Sequence, residues 1–265
     1  MSDSLQPAIP AATIILYQED ASGPARHLMI ERTARMAFAP EALVFPGGRV
    51  ETSDHELAAD SALVHSAPED IQDAASRIAA IRETIEEVGI PIGIWPTPTA
   101  ELVVMWRTAL KSGSPLGPLL AAAECHMDLR HLIPFARWCP NLSTERRFDT
   151  RFYIARAQGN AAVTHDVDEA THHIWLTAQE ALDDAKSDRF HIIFPTLRNL
   201  ERLALYPRFE EMALHLAATP FQTIMPKMVE YDGQPWLCIP EGADYPVTRI
   251  LVSDHQRFRK PKPGG

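Results

Sequence analysis

Cysteine, surplus positive charge and long apolar runs are all scarce in this chain, and each shortage removes a class of protein. The three cysteines, Cys125, Cys139 and Cys238, are odd in number and widely spaced. That excludes a disulfide framework or a zinc pattern and suits a reducing compartment. Lys and Arg number 25 against 35 Asp and Glu, a formal charge of −10. The clustered cations that nucleic acid or an anionic membrane would demand are therefore lacking, and neither is expected as a partner. An anionic small substrate would need a metal ion or a local arginine patch. No run approaches the roughly 18 apolar residues of a membrane span. The opening MSDSLQPAIP lacks the positive region and apolar stretch of a signal peptide. A cytoplasmic protein is expected.

What is present is an ordinary globular composition: 265 residues, 46% hydrophobic and 23% charged, enough for one large or two small domains. Ala12–Tyr17 and His27–Glu31 read as two strands, a candidate hairpin. Leu43–Phe45 reads as a third, ended by the breaker Pro46-Gly47-Gly48. Glu51 to Asp70 is polar and aperiodic, an insertion with room for a short helix. From Asp70 to Val88, Ile78, Ile81, Ile85 and Val88 recur on one helical face, with Gly89 as C-cap and Pro91 barring continuation. Helices are expected over 102–111 and 116–124, strands over 147–155 and up to Leu176, then helices over 178–185 and 194–205. The tail reads as a hairpin turning at Asp232-Gly233, then a frayed end. This mixed order, without repeats or regular βαβ alternation, indicates an α/β (α+β mixed) fold.

The helix ending at Val88 carries Glu83, Glu86 and Glu87 on one face, opposite its isoleucines. A solvated face is the ordinary explanation, but two penalties oppose it. Like charges at i,i+3 and i,i+4 cost roughly 0.2–0.5 kcal/mol each, and carboxylates in a last turn oppose the helix dipole by roughly 0.3–1 kcal/mol each. A divalent cation reverses both penalties, since Mg²⁺ and Mn²⁺ prefer oxygen ligands. Gly47-Gly48 adds a backbone that a ligand or ion can approach closely.

Gly48-Arg49-Val50-Glu51, followed by Arg82-Glu83-x-x-Glu86-Glu87-x-Gly89-Ile90, resembles the signature box of the Nudix hydrolases. The second half matches at every defined position. The first half is interrupted by about twenty residues. Its glutamate position falls on Asp54 counting forward from Gly48 and on Ala74 counting back from Arg82, so it stays unassigned. The long insert, Glu31–Pro40 leading into Val44–Gly48, Arg146–Phe152, Asp168-Glu169 with Trp175-Leu176, and Phe194–Leu197 resemble the coenzyme A diphosphatase branch related to the peroxisomal mammalian enzyme. The terminal Pro263-Gly264-Gly265 is not a peroxisomal targeting tripeptide.

The resemblance implies an α/β/α sandwich with a mixed central sheet, a helical insertion and a C-terminal extension. Residues 8–206 would form the domain, with the insertion at about 52–70. Residues 207–265 would pack on that domain or on a dimer partner. It also implies cleavage of a nucleoside diphosphate linkage by water attack on phosphorus. Coenzyme A or acyl-coenzyme A is the first expected substrate; ADP-ribose, NADH or dinucleoside polyphosphates are the enzymatic alternatives, and a non-catalytic nucleotide-binding regulator the alternative of another class. Glu83, Glu86 and Glu87 would hold Mg²⁺ or Mn²⁺ with the Gly48 carbonyl, and Arg82 would orient them by salt bridge.

Arg147, Asp149 and Arg151 alternate on one face of their strand. That face could bind a substrate phosphate or form an Arg–Asp–Arg ladder supporting the sheet. Arg32 and Arg35 are the other substrate-binding candidates. His172-His173, Cys125-His126, Trp106, Trp138 and Trp175 read as structural.

Overall fold

Strand β1 (Ile9–Tyr17) sends Ala12, Ile14 and Leu16 to one face and Ile15 and Tyr17 to the other, all of them buried. A strand apolar on both faces belongs inside a sheet covered on both sides. The computed structural model describes residues 7–21, 23–32, 42–140, 147–157 and 172–257. After β1 come β2 (Arg26–Glu31), β3 (Leu43–Val44), β4 (Gly47–Arg49), α1 (Thr52–Ala58), β5 (Val64–His65), α2 (Ile71–Val88) and β6 (Ile94–Trp95). Next are α3 (Ala100–Lys111), α4 (Leu116–Ala122), β7 (His126–Asp128), β8 (Ile133–Trp138), β9 (Phe148–Arg156) and β10 (His173–Thr177). The remainder are α5 (Ala178–Lys186), α6 (Phe194–Leu205), α7 (Phe209–Ala218), β11 (Thr223–Ile224), β12 (Lys227–Tyr231), β13 (Gln234–Cys238), β14 (Arg249–Leu251) and α8 (Val252–Arg257).

The main sheet has the order β11-β8-β9-β1-β4. β1 runs parallel to β9 and antiparallel to β4, so the sheet is mixed. Helix α2 covers one face through Ala74, Ala75, Ile78, Ile81, Ile85 and Val88. On the other face α6 contributes Leu197, Leu200 and Leu203. The result is an α/β/α sandwich. A small sheet, β5-β7-β6, extends the α2-side core with Val64, Ile94 and Met127, and α3 and α4 add Val103, Trp106, Leu116 and Leu120. Beyond Pro207, β11 joins β8 in parallel, while Met212, Leu237, Ile239 and Tyr245 enter the α6-side core.

Two sequence expectations change. The hairpin expected for the first two strands is not formed. β2 pairs instead with β10 and β3 in a separate three-stranded sheet, joined to the β1 end by a Gln18–Arg26 bridge and by His27 Nδ1 at 3.1 Å from the Leu16 carbonyl. The supposed breaker is a strand: Gly47, Gly48 and Arg49 pair with Thr13, Ala12 and Ala11 of β1. Glycine is needed there because a Cβ on Gly47 would lie 2.3 Å from the Ala12 carbonyl oxygen.

The local punctuation of the chain is followed closely. α2 starts at N-cap Asp70, whose carboxylate accepts the Gln72 N–H, and ends at Gly89 with φ 70°. The last hairpin turns at Asp232 and Gly233 with φ of 50° and 71°, as a type I′ turn requires. Arg35 and the rest of Thr33–Pro40, Arg146, Asp168-Glu169 and the tail from Phe258 lie outside the described residues.

Candidate active site

The last two turns of α2 bring Glu83 and Glu87 against β4, with Glu86 near Arg82. Glu87 Oε2 accepts the Gly47 N–H at 3.0 Å. Glu83 lies over Gly48 so closely that a Cβ there would sit 2.2 Å from Glu83 Oε1. The glycine pair is thus the floor of the acidic cluster, and β4 holds it in place by pairing with β1.

Arg82 ties the cluster to the fold. Its guanidinium is 4% exposed and reaches Asp54, Arg49, Glu83 and Glu86. Nε and Nη2 donate to the two Asp54 oxygens at 3.0 and 3.1 Å. Nη2 also donates to the Arg49 carbonyl at 2.8 Å, and Nη1 to Glu83 Oε1 at 2.8 Å. Glu86 Oε2 lies 3.7 Å from Nη1. Burial alone would lower this guanidinium, but Asp54 and Glu83 outweigh it and hold it above the ordinary arginine range. Asp54 also accepts the Glu51 N–H at 2.8 Å and so caps α1. Of the two counts for the interrupted box, the structure selects Asp54: Ala74 is a fully buried core residue on α2, far from the guanidinium's reach.

Crowded carboxylates resist ionisation. Burial, then the charge of Glu86 against the pull of Arg82, pushes Glu83 up to about 7. Burial and the charge of Glu83 push Glu87 up to about 8, opposed by the Gly47 N–H and Arg32. Arg32, just after β2, is within electrostatic reach of Glu87 and Glu83, and burial pulls its guanidinium below the ordinary range. Its Nε has no hydrogen-bond partner among the described residues.

The donor set suits a hard divalent cation: carboxylate oxygens that repel one another, beside a backbone with no side chain in the way. Among the described residues no three His, Cys, Asp or Glu side chains converge into a ready-made cage. Glu83 bonds Arg82 through Oε1 and Glu87 bonds Gly47 through Oε2, so each carboxylate keeps its second oxygen for a cation.

On the cationic strand face Arg151 is engaged by carboxylates of α2. Its Nη1 donates to Asp73 at 2.9 Å and its Nη2 to Asp70 at 3.0 Å. Both carboxylates sit at the start of α2, and Asp73 is about 15 Å along the helix from Glu83 at roughly 1.5 Å per residue. Asp149 is taken by Arg137 across the β8–β9 pair at 2.8 and 2.6 Å. This face is thus tied into the fold, Asp149 by Arg137 across the sheet and Arg151 by α2, with partners other than those of an Arg147–Asp149–Arg151 ladder. Arg147 Nη2 donates to Cys139 Sγ at 3.5 Å, and the structure does not join Arg147 to the glutamates. Of the described substrate-binding candidates, Arg32 alone is placed beside them.

One residue escaped the sequence reading. Arg107 of α3 is 6% exposed and donates to the backbone carbonyls of Glu86 and Glu87. The signal for it was an arginine on the helical face that also carries Val103, Trp106 and Leu110, an apolar stripe where a charge needs a buried partner.

The acyl-coenzyme A diphosphatase NUDT19 of Xenopus laevis is 28% identical over 70% of this chain and 61% of its own length. Its Homo sapiens counterpart is 25% identical over 80% of this chain and 74% of its own length. The chain thus spans about three-fifths of the frog relative. The solved structure of a Nudix hydrolase from Alicyclobacillus acidocaldarius is 26% identical, with a TM-score of 0.67 over 81% of this chain and 97% of that one. The model of the NUDT19 Nudix domain matches residues 57–203, and with the box residues gathered around Arg82 the chain belongs to that Nudix hydrolase family.

Proposed function

We propose that the protein is a divalent-metal-dependent diphosphatase that hydrolyses coenzyme A or acyl-coenzyme A to 3′,5′-ADP and (acyl-)phosphopantetheine. The observation that carries the reading is the seating of Glu83 and Glu87 on Gly47-Gly48, with Glu86 beside them at Arg82 and Arg82 clamped by Asp54 behind. The substrate choice is supported by the names of the frog and human relatives, and fold by itself would not supply it.

Glu83, Glu86 and Glu87, with the Gly48 carbonyl, would hold Mg²⁺ or Mn²⁺. When bound, such an ion neutralises diphosphate charge and acidifies a coordinated water. The chain's own residues do the positioning. Arg82 fixes Glu83 by a charge-assisted hydrogen bond. Gly47 orients Glu87 through its N–H. Arg32, lying near both glutamates, would bind the diphosphate that the carboxylates alone would repel.

Product analysis by mass spectrometry tests this. The chain, with Mg²⁺ or Mn²⁺, is offered coenzyme A, acetyl-coenzyme A, ADP-ribose, NADH and a diadenosine polyphosphate, with Glu87→Gln as control. Release of 3′,5′-ADP by the native chain alone is the expected result. Cleavage of another nucleotide only would keep the diphosphatase and discard the coenzyme A assignment. Failure to cleave any of them would overturn the proposal for these substrates.

A further inference from the structure

Helix α2 ends in a way that three glutamates make costly, and the terminal carbonyls show how the fold offsets that cost. Gly89 N–H returns to the Ile85 carbonyl at 2.9 Å and Ile90 N–H to the Thr84 carbonyl at 3.4 Å, a glycine C-cap of the αL type. The next two carbonyls belong to Glu86 and Glu87, and both are taken by Arg107: Nε donates to the Glu86 carbonyl at 3.2 Å and Nη2 to the Glu87 carbonyl at 2.9 Å. α2 has no basic residue of its own in its last turn. The cation that opposes the negative end of its dipole therefore comes from another helix.

We propose that Arg107 is a positioning residue for the cation site, holding the Glu86–Glu87 turn at the angle from which its carboxylates reach a divalent ion. The inference rests on the metal-dependent reading above. A helical side chain leaves the backbone in a direction set by its own residue's φ and ψ. Fixing two successive carbonyls with one planar fork therefore fixes the directions of the Glu86 and Glu87 side chains as well. A lysine could supply the charge but not the two-point grip. The position is a demanding one for an arginine: it lies beside Val103, Trp106 and Leu110 on the buried face of α3. Packing alone would be served by leucine, so the guanidinium is explained by what it bonds.

The test is Mn²⁺ binding followed by electron paramagnetic resonance on the full chain, with melting temperature measured alongside. The set is native, Arg107→Met, Arg107→Lys, Leu110→Ala and Glu87→Gln. Leu110 packs α3 but makes no bond to the α2 carbonyls, so it controls for loosened packing. Arg107→Met should weaken Mn²⁺ by about tenfold or more, the range typical of residues that support metal ligands. Arg107→Lys should recover part of that loss. Leu110→Ala should stay within about twofold of native affinity even as its melting temperature falls. Should Arg107→Met fail to fold, an intermediate affinity for Arg107→Lys carries the same conclusion. Native affinity in both Arg107 variants, or an equal loss in Leu110→Ala, would reduce Arg107 to a packing residue and overturn the proposal. Mn²⁺ binding that is absent from the native chain, or indifferent to Glu87→Gln, would instead overturn the metal-dependent reading and this inference with it.

Discussion

The Arg82 guanidinium grips both carboxylate oxygens of Asp54, at 3.0 and 3.1 Å, with the two side chains 4% and 2% exposed. Asp54 is thereby joined to two structures at once: the first turn of α1, which it caps, and the α2 turn that bears the glutamates.

Asp54→Ala should consequently destabilise the protein by about 3–5 kcal/mol, because it strands a buried guanidinium without its counter-charge. Asp54→Glu, which keeps charge and both oxygens on a longer stem, should cost less. Urea denaturation midpoints measure the difference. Equal midpoints for Asp54→Ala and the native chain would show that the ion pair carries no net weight.

Gly47 and Gly48 should respond to alanine in opposite ways. On Gly48 the new methyl meets first the end of the Glu83 side chain, at 2.2 Å. The fold can yield there, so Gly48→Ala should keep stability within about 1 kcal/mol while displacing Glu83 and weakening Mn²⁺. On Gly47 the methyl meets the Ala12 carbonyl oxygen at 2.3 Å and Thr13 Cα at 2.7 Å. Gly47→Ala should then cost roughly 2 kcal/mol or more, since backbone cannot swing aside as a side chain can. Thermal melts and Mn²⁺ titration on both variants separate the two effects.

The raised carboxylates make a pH prediction for the metal-free chain. Glu83 and Glu87 move from an ordinary 4.5 up to about 7 and about 8. Between those values the folded state binds more protons than the unfolded chain, so stability falls as pH rises. In EDTA the melting temperature should drop by about 10 °C or more between about pH 5 and about pH 8. Glu87→Gln should flatten that slope. Added Mn²⁺ should reverse it, since a cation favours the ionised carboxylates and releases their protons. A flat native profile in EDTA would remove the strain assigned to this pair.

How much of this could be seen beforehand depended on distance along the chain. α2 was legible because its cap at Asp70, its isoleucine period and its stop at Gly89 are all local. The glutamates came with it. The register of the interrupted box was not legible. Counting gives both Asp54 and Ala74, and the contact that singles out Asp54, its carboxylate on the Arg82 guanidinium, joins residues 28 positions apart. Nor was the strand Gly47–Arg49, whose residues carry no strand propensity and pair because β1 accepts a partner with no Cβ in the way. The partners of a cation are equally hidden. Arg151 is separated by 78 positions from Asp73, and nothing in RFDTRFYIA discloses that pairing. Arg107 escaped altogether: an arginine in an apolar stripe signals burial but not its partner.

Arg32 and Arg151 are equal candidates for phosphate binding on sequence grounds, and their surroundings separate them. Arg151 is satisfied by Asp70 and Asp73, so Arg151→Ala should lower stability by about 1–3 kcal/mol, through the carboxylate it leaves behind, with KM nearly unchanged. Arg32 faces Glu87 and Glu83, and its Nε is without a partner among the described residues. Removing its charge takes a cation from the place where a diphosphate must approach three carboxylates. Arg32→Ala should therefore raise KM by about tenfold with a smaller fall in kcat, the pattern of a group that binds ground state and transition state alike. An equal fall in kcat and kcat/KM would move Arg32 from substrate binding to transition-state stabilisation. A raised KM for Arg151→Ala with unchanged stability would return the strand face to the substrate.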